Sequence, residues 1–167
     1  SFGGASAIMA LAMGTPKVKA VNKIVGPGSK WVALAKRMVF LEGLCGIESA
    51  YMGESEILCI ADSSTPPNII ASSCIAQNEH SPDSMSVILT KDKKLIKKVQ
   101  LSITEQLKDL PRKKIASTSL KKNSIFIYVS SDKAIISIAS HIAPEHIEIL
   151  TKNFKKYLKS NIIAGSV

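Results

Sequence analysis

The sequence has 167 residues, 46% hydrophobic and 21% charged, a mix that excludes fibrous and disordered chains and leaves room for one domain and part of another. No apolar run reaches the ~18 residues of a membrane span, so no membrane association is expected. Net charge is +9 but lopsided, with six bases and seven acids in residues 1–83 and sixteen bases and six acids in residues 84–167.

The chain opens at Ser1 without a basic leader and with helix under way, so a signal peptide is not expected and a piece of a longer chain is. Apolar residues at helical spacing predict a helix from Gly3 to Met13, stopped by Gly14-Thr15-Pro16. Lys23-Ile24-Val25 predicts a short strand, broken by Gly26-Pro27-Gly28. An amphipathic helix follows from Ser29 to Phe40, with Trp31, Val32, Leu34, Ala35, Met38 and Val39 as its apolar face. Leu44 to Ile47 reads as another strand, and a composition shift follows at Glu48 to Glu54.

Glu56 to Ala61 is continuously apolar after its first residue, the pattern of a strand buried on both faces of a parallel sheet. Pro66 suits the first turn of a helix running to about His80. Met85 to Leu89 predicts a strand parallel to and beside the previous one, because a single helix joins them. Thr90 or Asp92 caps a helix to about Leu110, ended by Pro111. Ser124 to Val129 predicts a strand, Ser131-Asp132 cap a helix to about His141, His146 to Leu150 alternate as a strand, and Lys152 to Lys159 form a last short helix. Strands alternating with helices predict an α/β fold with a three-layer, Rossmann-like parallel sheet.

Only Arg37 and Arg112 are arginines and aromatics are few, so the lysines read as solvated helix faces and no nucleic-acid partner is expected. Cys45, Cys59 and Cys74 share no metal-type spacing and sit among apolar residues, as buried thiols in a reducing cytoplasm would.

Four places carry polar chemistry. Gly26-Pro27-Gly28 is either a helix start that offers amides to an anion or a plain strand-to-helix turn. Glu54-Ser55-Glu56 either points Ser55 at a crevice or caps a loop. Gln77 and His80, three apart at a helix end, can converge on one ligand or metal, unless His80 only caps carbonyls. In Ala143-Pro144-Glu145-His146 an acid stands beside an imidazole where a strand starts; neighbours on a regular strand diverge, but the bend at proline lets both reach a crevice. His141 reads as structural.

In order, Gly3 to Ile8 (GGASAI), Lys23 to Gly28 (KIVGPG), Ala35 to Arg37 (AKR), Ser55 to Asp62 (SEILCIAD), Gln77 to His80 (QNEH), Leu110 to Arg112 (LPR) and Ala143 to His146 (APEH) resemble histidinol dehydrogenase over essentially the whole chain. The resemblance implies a zinc-assisted, NAD-dependent oxidation of L-histidinol through the aldehyde to L-histidine, the last step of histidine biosynthesis. It implies two Rossmann-like domains in a cytoplasmic homodimer, with residues 1–48 the end of one domain and residues 49–167 most of the other. By position, Gln77 and His80 match zinc ligands that also hold the substrate. His146 matches the group that takes protons from the alcohol, and Glu145 the one that activates water. Ser55 and His146 match substrate contacts.

Three departures bear on activity. The family's other two zinc ligands, an Asp and a His, have no counterpart before Val167. The two cofactor-binding positions, where the family pattern has Gln and Asn, carry Ser6 and Ser29, whose single hydroxyls are shorter than amides. Gly53-Glu54 stands where the family has glycine-proline. Two readings of different class follow. One is a dehydrogenase; the other is a catalytically inactive remnant that folds and self-associates.

Overall fold

The structure is a computed structural model that describes residues 3–48 and 55–167. The expected loop features at Gly53-Glu54 lie outside the described residues. The chain divides into two compact units, Ser1–Gly53 and Glu54–Val167.

In the first unit α1 (Gly4–Met13) and α2 (Lys30–Leu41) pack around a small parallel pair, β1 (Lys23–Ile24) with β2 (Gly46–Ile47). Ile8, Ala12, Ile24, Ala35, Val39 and Cys45 form its core. The expected inner face of α2 is half right. Ala35 and Val39 are buried, but Trp31, Leu34 and Met38 are exposed, and Lys36 is buried in their place. The reason is an ion pair: Lys36 Nζ lies 2.6 Å from Glu48 Oε1 and donates also to the Gly26 carbonyl. The Gly26 amide, in a left-handed conformation that favours glycine (φ 128°), donates to the same Glu48 oxygen. Lys36 first, then backbone amides, holds the Glu48 carboxyl below its usual range. The Gly26 groups are therefore satisfied inside the unit, as a plain strand-to-helix turn requires.

The second unit is a four-stranded, wholly parallel sheet in the order β5-β4-β3-β6, from β3 (Glu56–Ala61), β4 (Met85–Thr90), β5 (Ser124–Tyr128) and β6 (His146–Leu150). The two strands expected to be parallel neighbours, β3 and β4, pair in register from Glu56↔Met85 to Ala61↔Thr90. On one face α3 (Pro67–Asn78), α4 (Lys93–Gln106) and α5 (Lys113–Asn123) cover Ile57, Cys59, Ala61 and Ile88. On the other, α6 (Asp132–Ile142) and α7 (Phe154–Leu158) cover Leu58, Ile60, Val87 and Leu89. Three layers result, and each aliphatic side chain buried between them contributes about 1.5–3 kcal/mol.

Local chemistry sets the helix ends. Asp92 accepts from the Lys94 amide and Ser131 from the Ala134 amide. Pro66 is the N-cap of α3 and Pro67 its first residue, one later than expected. Three expectations need correction. Helix α3 stops at Asn78, before His80; α4 stops at Gln106, short of Leu110; and Lys113–Asn123, where no element is expected, is a full helix. His141, expected to be structural, is exposed in the last turn of α6. All three cysteines are buried and unpaired, as expected.

Candidate active site

Topology brings the polar residues together. A helix that crosses between parallel strands runs antiparallel to them, so the end of α3 returns to the amino ends of β3 and β6. Those strands are neighbours, with Ile57 opposite His146. Ser55 therefore stands just before β3, Gln77 in the last turn of α3, His80 in the turn beyond, and His146 at the head of β6. A crevice of about 410 Å³ opens there, lined by Ile57, Ser73, Gln77, His80, His146 and Glu148 among others.

Within it Gln77 is buried (7% exposed) and its Nε2 donates to Ser55 Oγ. That leaves the amide oxygen as the atom a cation can use. His80 is exposed; its backbone carbonyl accepts from Arg112, and no hydrogen bond of its ring is found among the described residues. The end of α3 is pinned from behind by a polar seam. Asn78, fully buried, donates to the Cys74 carbonyl and to Ser86 Oγ, and its Oδ1 accepts from Ser119 Oγ of α5 at 2.6 Å.

Glu145 and His146 meet in spite of strand alternation. Ala143 takes a left-handed conformation (φ 47°) at the end of α6, Pro144 is buried, and the chain turns into β6 with Glu145 Oε1 3.5 Å from His146 Nε2. Both side chains are about half exposed, at 49% and 47%. Residues 164–167 run alongside: the Gly165 amide donates to the Pro144 carbonyl, the Ser166 amide to Glu145, and Ile147 to Ser166. His146 lines the crevice and Glu145 sits at its rim beside it.

Two neighbours escaped the sequence reading. Glu148 follows His146 by two residues, so both face α3, and its Oε2 accepts from Ser73 Oγ at 2.7 Å. Ser73 precedes Gln77 by four residues on the same helix face. Strand and helix periodicity together held that signal. Glu148 also adds to the causes, after the Cys74 hydrogen bond and burial, that push the Cys59 thiol well up.

The remaining sequence candidates, Ser6 in α1 and Ser29 at the N-cap of α2, are exposed members of the first unit, and Ser29 makes no side-chain cap. As to metal, the Gln77 oxygen and the His80 ring are suitable donors for two positions of a zinc shell. Among the described residues no group of three or more His, Cys, Asp or Glu could complete it.

The family model described as histidinol dehydrogenase matches residues 1–167. The chain is 48% identical over all 167 residues to the histidinol dehydrogenase of Pelagibacter ubique, of which it spans 39%, and 42% identical over 167 residues to that of Nitrosospira multiformis, of which it spans 37%. It is similar, at a TM-score of 0.90 and 34% identity, to the crystal structure of histidinol dehydrogenase from Elizabethkingia anophelis, covering 99% of this chain and 37% of that one. The chain thus spans about two fifths of the length of the relatives it matches.

Proposed function

The chain belongs to the histidinol dehydrogenase family, and from that premise we propose that its second unit supplies the catalytic crevice of an oxidoreductase in histidine biosynthesis. The reaction is the NAD-dependent oxidation of L-histidinol, through the aldehyde, to L-histidine. The observation that carries this reading is the convergence of Gln77, His80 and His146 on one crevice, with Glu145 3.5 Å from His146.

In this reading His146 takes the proton of the alcohol, for which an imidazole, with one ring nitrogen able to accept and the other to donate, is suited. Glu145, at the rim, deprotonates the water that adds to the aldehyde. Ser55, fixed by Gln77, contacts the substrate. Gln77 and His80 would hold zinc, which orients the substrate's imidazole and amine. Ser6 and Ser29 stand at the dinucleotide positions, residues 1–48 being the end of one Rossmann-like domain and residues 49–167 most of a second. The working protein is a homodimer in the cytoplasm, with no membrane or nucleic-acid partner.

A second reading, an inactive remnant of the family, is favoured by the exposed serines at the two dinucleotide positions. Each amide hydrogen bond that a serine there fails to make costs about 0.5–1.5 kcal/mol of binding. The test is a chimera in which residues 1–167 replace the matching segment of the Pelagibacter ubique enzyme, assayed for reduced dinucleotide with histidinol and zinc. Turnover that falls by about 10²–10⁴-fold in His146→Ala supports the dehydrogenase. A folded, zinc-loaded chimera without turnover establishes the remnant. The 167-residue chain by itself, with two donors of the shell, is expected to show no turnover and weak zinc binding.

A further inference from the structure

We propose that Glu148 is a specificity-determining residue that gives the crevice its negative charge and so its preference for an imidazole ligand bearing a cationic arm. The inference rests on the reading of the crevice as an imidazole site and adds a residue to it. In a chain with 22 Lys and Arg, none lines this crevice. Among the described residues its lining side chains are apolar or neutral apart from two imidazoles and two carboxylates, Glu79 and Glu148, with Glu145 outside the lining at the rim beside His146.

The two carboxylates are not equivalent. Glu79 caps the end of α3, where its backbone is shared with a turn. Glu148 lies on the central part of β6 opposite Cys59, on the face toward α3, and is held by Ser73 one helical turn before Gln77. It is half-buried, so its charge is screened less than that of a surface carboxylate. Ser73, Gln77 and His80 stand along one face of α3 and its following turn, while His146 and Glu148 stand along one face of β6. A ring held between His80 and His146 therefore has a fixed anion on the inner side of the crevice.

The test compares two probes with the same ring and opposite arms, histamine and imidazole-4-acetate. Binding to the 167-residue chain is read from the histidine ring protons by NMR at neutral pH. Wild type is expected to prefer histamine by about tenfold, a ratio in keeping with one partly screened charge. Glu148→Gln keeps an oxygen for Ser73 and should bring the ratio close to one. Glu79→Gln should leave it within about twofold of wild type. An unchanged ratio in Glu148→Gln, a ratio lost in Glu79→Gln instead, or no histamine binding by wild type overturns the proposal. Selectivity that depends on Glu148 together with an inactive chimera would retire the dehydrogenase reading alone; an active chimera with unchanged selectivity would retire this one alone.

Discussion

Gly165 has no side chain because the backbone of Glu145 occupies its place. A Cβ there would lie 2.8 Å from the Glu145 carbonyl oxygen, and backbone, unlike a side-chain tip, has nowhere to turn. The close approach lets three backbone hydrogen bonds join residues 165–166 to the stretch from Pro144 to Ile147, and so fixes the backbone that carries Glu145 and His146. Gly165→Ala is expected to push this segment off the edge of β6 and cost about 1–3 kcal/mol, the range for overpacking. Thermal unfolding measures the loss, and an unchanged midpoint would show that the segment is not packed as described. Lys36 makes a related point from the other unit. A lysine at that position reads as surface, yet its ammonium is buried because Glu48 and the Gly26 carbonyl lie within reach.

Among elements, α7 is only five residues long and depends on one carboxylate. Asp132 at the start of α6 accepts from Lys156 and from the Tyr157 hydroxyl at 2.7 Å, and pairs with Lys91 at 2.7 Å. Lys156 first, then Lys91 and Tyr157, hold the Asp132 carboxyl well below its usual range, while burial and then Asp132 push the Tyr157 hydroxyl up. A carboxyl whose folded value is depressed stabilises the fold above its unfolded value of about 4, and that stability is lost as pH falls further. Asp132→Asn should therefore lower the urea midpoint at pH 7 and flatten its fall between about pH 5 and 3. A variant that tracks wild type across that range would mean the cluster contributes nothing. The two central strands were legible because a segment buried on both faces leaves an unbroken apolar run, as in Glu56–Ala61. Helix α5 was not. Lys113–Asn123 has few apolar residues, and what seats it includes Ser119 against buried Asn78 and the Ser84 carbonyl, a polar fit that hydrophobic periodicity does not record. The motif residues of the site were likewise visible one by one. Their convergence needed the antiparallel return of α3 and the pairing of β3 with β6, and Glu148 became visible only with Ser73 across from it.

At the scale of the whole molecule the two units differ in how well they cover themselves. The sheet of the second is sandwiched, but in the first α2 turns Trp31, Leu34, Met38 and Leu41 outward, at 63%, 39%, 55% and 71% exposure. Their spacing of three, four and three residues makes one continuous apolar stripe on the helix face adjoining Ala35 and Val39. The α1 helix adds Met13, also 63% exposed. Sequence periodicity marked most of these residues as core, since it reports which residues are apolar and not which of two apolar faces is covered. A stripe of this kind exceeds the scattered apolar residues of an ordinary surface and draws partners. The 167-residue chain is therefore expected to self-associate through its first unit. Sedimentation should show a weight that rises with concentration, and Trp31, the only tryptophan, should shift its emission to shorter wavelength over the same range. Replacing Leu34 and Met38 together with glutamate should suppress both signals while leaving the second unit folded, because neither residue belongs to its core. A clean monomer at high concentration with Trp31 emission fixed at its solvent-exposed value would refute the expectation.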